Sequence, residues 1–179
     1  SLKPLFSLCM ELFGTKRQYV YMTEAVTALM FGLVSFALPL PSFFAVTVGI
    51  MGVMAISGSM HDIAGDGVYM QQLSTQEQGV YAGWQGAFYN LAKILTNGGL
   101  VYLAGTLSKS LGLTKAWMVI MGICAGIMLL LALYHMVVLP QEPKRDRLSA
   151  DEGLKELMEI LRSFFTKPYI WLYLGFIFL

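Results

Sequence analysis

Long apolar runs alternate with short polar breaks along this chain. The first run covers about 18–38 and ends at Pro39 and Pro41. The second begins at Ser42, placed to act as an N-cap, stays apolar to Met60, and its helix continues to Leu73. "STQEQG" then reads as a polar turn, and a third run follows at 78–107. "SKSLGLT" reads as a loop before the fourth run, 115–139, which ends at Pro140. Each run is long enough for a membrane helix, which needs about 20 predominantly apolar residues. The run from 168 to 179, "PYIWLYLGFIFL", is shorter than that and is expected to be the start of a truncated span. The pattern therefore predicts a central piece of a longer membrane protein. Residues 1–17 form a loop, and 140–167 a linker. Within the linker, 149–165 carries Ser149 and Glu152 at capping-box spacing. Leu154, Leu157, Met158, Leu161 and Phe165 then recur at helical period, which predicts a short amphipathic helix.

Composition agrees with this. Apolar residues make up 56% of the chain and charged residues 13%, against about a quarter charged in soluble domains. Between Tyr19 and Met136 the charged residues are Glu24, Asp62, Asp66, Glu77, Lys93, Lys109 and Lys115. The predicted fold class is an all-α polytopic membrane helix bundle whose first partner is the lipid bilayer. Lys and Arg counts orient it. Lys3, Lys16, Arg17 and the bases from Lys144 to Lys167 lie on one side, opposed by Lys109 and Lys115 on the other. The richer side is cytoplasmic, and it holds the "STQEQG" turn. A net charge of +1 gives no argument for nucleic acid. Cys9 and Cys124 are expected to be free thiols at different depths. No zinc-binding, phosphate-loop or nucleophile-elbow motif occurs, so neither a metal, a cofactor nor an enzyme is expected.

Candidate chemistry lies in the few polar groups inside the runs. In "GSMHDIAGDGVYMQQL", Asp62, Asp66 and Tyr69 share one helix face, with His61, Gly65 and Gln72 beside it. On the third run Gln85, Tyr89, Lys93 and Thr96 form a second polar stripe. Folding the two runs together about "STQEQG" is expected to oppose these stripes, with Asp62 level with Tyr89. A lysine at mid-membrane costs about 2.5–3.5 kcal/mol, so it needs a partner or a watery path. Lys93 is read either as a pathway residue or as half of a structural pair with Asp62 or Glu24. His61 is either a packed histidine or a proton carrier. Asp66 and Glu77 suit a wetted boundary, and Glu24 suits pairing more than chemistry. Gly49, Gly52, Ala55, Ser57, Gly58 and Ser59 place the second run inside the bundle.

The segments "ELFGTKR", "HDIAGD", "LSTQEQG" and "FYNLAKILTNGGLVYLAG" carry a resemblance. The chain resembles the centre of a major facilitator superfamily transporter, from the loop after its second helix into its seventh. Glu11, Gly14, Lys16 and Arg17 occupy the places of that family's signature loop. Asp62, Ile63, Asp66, Leu73, Glu77, Gly79, Tyr89, Leu91, Gly98 and Gly99 resemble muropeptide permeases (the AmpG type) and related acetyl-coenzyme A transporters. The close match covers about a quarter of the chain. Asn90 stands where the compared permeases carry a base, and the base here is Lys93. The resemblance implies a proton-coupled permease of the bacterial inner membrane, carrying an anionic cell-wall-derived sugar-peptide. Lys93, Tyr89, Gln85 and Asn97 would bind substrate, Asp62, Asp66 and His61 would exchange protons, and the missing helices of the same chain would complete the cavity. A permease for a sugar, nucleotide, peptide or drug, or a sensor that kept the fold without flux, are the alternatives.

Overall fold

The computed structural model describes residues 14–141 and, beyond them, Lys155, Met158, Glu159, Arg162, Ser163, Thr166, Tyr169 and Ile170. Cys9, Glu11, most of the linker and the terminal apolar run lie outside the described residues. The described chain is helical, with no strand among its residues.

Helix α1, Lys16–Ala37, starts where Thr15 closes a capping box: its hydroxyl accepts from Gln18 N, and Gln18 Oε1 accepts from Thr15 N, both at 3.2 Å. It ends before Pro39, which has no backbone N–H to continue the ladder, while Leu38 still keeps helical angles (φ −54°, ψ −37°). Helix α2, Phe43–Gln72, follows a tight turn. Ser42 sits at its start as expected but makes no side-chain capping bond. Helix α3, Thr75–Ile94, begins earlier than the sequence pattern indicated. Ser74 and Glu77 form a second capping box, so "STQEQG" is mostly first helical turn. A π-helical segment, Leu95–Leu100, continues into helix α4, Val101–Leu111. The supposed "SKSLGLT" loop is mainly helix. Ser108 and Ser110 return their hydroxyls to the carbonyls of Gly105 and Leu107, and the chain breaks only at Gly112, with φ +82°. Helix α5, Leu113–Val138, completes the order.

By length and composition α1, α2 and α5 each suffice to cross a membrane. Helix α1 is central. Val20, Thr23, Glu24, Ala28, Val34 and Ala37 are its buried stripe, which packs against α2 and, more extensively, against α5. The facing positions are small: Ser57, Ala64 and Gly67 on α2, Ala116 and Ala132 on α5. Without a hydrophobic driving force between helices in lipid, such close approach supplies the cohesion. Ser35 adds a hydrogen bond to the Met118 carbonyl across the α1–α5 seam, at 2.9 Å. Helix α4 packs on α5.

The expected apposition of the α2 and α3 stripes is not found. Tyr69 donates to the Gln78 carbonyl at 2.5 Å and ties the junction, but beyond it the helices make no extended contact. Every residue from Gly79 to Gly99 is exposed. The reason is the small-residue face of α2, which is taken up by α1, so that Asp62 and Asp66 point elsewhere and remain exposed.

Candidate functional site

The described polar groups fall into two sets. One is the stripe on α3. Gln85, Tyr89, Lys93 and Asn97 are all exposed, and Lys93 Nζ lies 4.5 Å from the centre of the Tyr89 ring. The quadrupole of the ring attracts the ammonium, and the i, i+4 spacing brings them together. Among the described residues no carboxylate pairs with Lys93, so the lysine is not half of the structural ion pair weighed from sequence. Asn97 falls in the π segment, whose wider turn follows Thr96 and the Gly98–Gly99 pair. Single π turns inside α-helices are frequent at functional sites.

The second set is buried and was underrated by sequence reasoning. Glu24, 3% exposed, lies between α2 and α5. His135 Nδ1 on α5 donates to its carboxylate, 2.8 and 2.9 Å from the two oxygens. His61 Nε2 on α2 stands 4.0 Å from Oε1. The other nitrogen of His61 meets the Thr23 hydroxyl at 3.1 Å. That hydroxyl is 2.7 Å from the Tyr19 carbonyl and 2.9 Å from that of Val20, so its own hydrogen is committed to the backbone. It is left to accept from His61, which fixes the hydrogen of a neutral His61 on Nδ1 and turns a bare Nε2 toward Glu24. Ser57 and Thr27 donate to the Thr23 carbonyl at 3.0 and 2.8 Å and hold this turn in place.

Of the proton-exchange candidates, His61 thus joins a buried cluster, while Asp62 and Asp66 lie on the exposed face of α2. Glu24 carried a visible signal, a carboxylate well inside an apolar run. His135 carried little, because nothing in its own helix points to a partner 111 positions away. Among the described residues no grouping of three or more His, Cys, Asp and Glu suits a metal ion.

The signature-loop residues gather at the same end. The stem of Lys16 lies across Gly67 of α2, so close that a Cβ there would be 2.6 Å from Lys16 Cδ. Arg17 donates to the Met136 carbonyl at the end of α5. Gly14 sits under the Tyr19 ring. At the other half, α1, α2 and α5 border an open apolar groove of about 560 Å³, lined by Phe31, Met51, Met54, Trp117 and Met121.

Compared with known proteins, the chain matches the family model described as Major Facilitator Superfamily over residues 1–179. No curated protein and no solved structure matches it.

Proposed function

Because the chain belongs to the Major Facilitator Superfamily and is a membrane transporter of that type, not an enzyme by family, we propose that it works as a proton-coupled carrier of an anionic solute, specifically a cell-wall-derived sugar-peptide, in a bacterial inner membrane. The observation that carries the anionic solute is Lys93. It is an exposed cation in the last turn of α3, on a polar stripe just before the π segment, laid on an aromatic ring and with no described carboxylate beside it. A cation left without an anion of its own is available for a charge that arrives with the substrate. Tyr89, Gln85 and Asn97 would supply hydrogen bonds to the sugar and peptide groups from the same stripe. His61, Asp62 and Asp66 would exchange the driving protons on the half of α2 nearest the turn into α3. Gly14, Lys16 and Arg17, with Glu11 before them, would hold the ends of α1, α2 and α5 in register through each cycle. The bilayer, and helices beyond those described, would complete the passage. Nucleic acid has no part in it.

The test is uptake of labelled anhydromuropeptide by the full-length protein in proteoliposomes, with an uncoupler as control. A charge-assisted hydrogen bond is worth about 1.5–3 kcal/mol, so Lys93→Ala should lower uptake about tenfold to a hundredfold at unchanged expression. Undiminished uptake by that variant removes the lysine from the mechanism. Competition by sugars, nucleotides or uncharged peptides instead of the sugar-peptide would favour a different cargo.

A further inference from the structure

We propose that Glu24, His61 and His135 form a proton-operated clasp: a proton gained at His61 Nε2 closes the contact between α2 and the Glu24–His135 pair of α1 and α5, and its loss opens that contact again. The inference rests on the proton-coupled reading above, and it adds two groups, Glu24 and His135, that lie outside the polar stripes.

The geometry points to His61 as the group that changes state. His135 Nδ1 already donates to Glu24, so that contact is made whether or not a proton is added. His61 is different. Thr23 holds its hydrogen on Nδ1, and a neutral His61 therefore turns a lone pair toward a carboxylate 4.0 Å away. The two repel. When a proton from water binds Nε2, one N–H bond forms, and the imidazolium becomes a donor facing an anion. Charge-assisted N–H···O bonds settle at about 2.7–2.9 Å, so the gap closes by about 1 Å. The cluster carries one negative charge with both histidines neutral and none after the proton binds. Neutralising a charge in so buried a place is a large energetic change. The His61 side chain is 36% exposed, against 4% for Glu24, so the proton has an entrance at the histidine.

Other charges do not substitute for it. On α1, Arg17 is engaged at the Met136 carbonyl and Lys16 lies over Gly67; Tyr19 and Tyr21 complete that end. On α2, Asp62 and Asp66 are exposed, and Tyr69 is turned to Gln78. On α5, Tyr134 meets the His135 ring edge-on at 5.4 Å, while Cys124 is about 16 Å along the helix and Lys115 further still. Because Asp62 follows His61 directly, a shift of α2 carries the exposed acidic face with it.

The test is nitrogen-15 histidine NMR of the full-length protein in nanodiscs, with signals assigned through His61→Gln and His135→Gln. His61 should keep its Nδ1 hydrogen throughout and gain one at Nε2 as pH falls. The Nε2–H signal should carry the signature of a short hydrogen bond to Glu24, which Glu24→Gln should weaken. Thr23→Val, close in shape, should release the tautomer and populate Nε2–H in neutral His61, and this variant serves if Glu24→Gln does not fold. A neutral His61 with its hydrogen on Nε2 in the native protein overturns the clasp, as does a hydrogen-bond signature that Glu24→Gln leaves unchanged. In proteoliposomes, His61→Gln should lose the accumulation of labelled anhydromuropeptide driven by a pH gradient. Native accumulation by that variant overturns the coupling role. If the native protein moves no anhydromuropeptide, the solute reading falls, and the histidine titration still decides the clasp.

Discussion

Replacing His135 with leucine strips the Glu24 carboxylate of the donor that lies 2.8 and 2.9 Å from its oxygens. What remains is His61 Nε2 at 4.0 Å, too far for a hydrogen bond. Removing one partner of a buried pair costs about 3–5 kcal/mol, because the other is left charged and dry. His135 is 28% exposed, so some water reaches the pair, and a figure of about 2–4 kcal/mol is more realistic. The reverse change, Glu24→Met, leaves a histidine that can turn toward water and should cost about 1 kcal/mol. The double variant should be close to the native protein, since replacing both members of a buried pair by apolar groups is often neutral. Reversible unfolding of the full-length protein in bicelles would give all three values. A coupling of about 3–5 kcal/mol between the two sites is expected. If the single costs add to within about 0.5 kcal/mol in the double variant, the two side chains are energetically independent and the reasoning about a buried, mutually dependent pair is refuted.

Two other outcomes follow from the ends of the helices. Gly67→Leu should force the Lys16 stem away from α2, since even a Cβ would approach Lys16 Cδ to 2.6 Å; Lys16→Ala in the same protein should recover most of the lost stability, and an additive pair of losses would show that the stem does not lie there. At the start of α3, hydrogen bonds from the Ser74 hydroxyl and backbone N–H hold the Glu77 carboxyl below its ordinary range. A carboxylate whose folded value is depressed stabilises above its unfolded value and loses that contribution as pH falls through the folded one, so the amide of Gln78 should lose hydrogen-exchange protection on acidification, a response that Ser74→Ala should abolish.

The helices were legible in the sequence because hydropathy acts locally. The two capping boxes, Thr15 with Gln18 and Ser74 with Glu77, satisfy orphan amides within one turn but were not read from the sequence. The boundaries that the sequence placed wrongly, at "STQEQG" and "SKSLGLT", are polar stretches in which serine and threonine cap or bond back to the helix instead of ending it. The choice of neighbours was not legible. Proximity along the chain suggested that α2 and α3 pair, whereas α2 packs on its other neighbour, α1, and α1 on α5, which is distant in sequence. The same long range hid the partnership of Glu24 with His135. The π segment escaped as well, since no simple periodicity announces one turn of altered pitch. Family membership, by contrast, was readable from "ELFGTKR" and from the order of the runs.

That altered turn keeps two jobs apart. Upstream of Leu95 the rod answers to whatever meets Lys93, and downstream of Leu100 it is geared to α5 through buried Ala104. An ordinary helix advances about 100° per residue, and the wider turn advances less, so that "LTNGGL" takes in one extra residue with little net rotation. Deleting one of these residues with a return to regular winding would leave Lys93 close to its present phase, whereas the same deletion within "VYLAGTL" would swing it by roughly that angle. The wide turn thus lets the chain carry an extra link while cargo side and scaffold side stay in step.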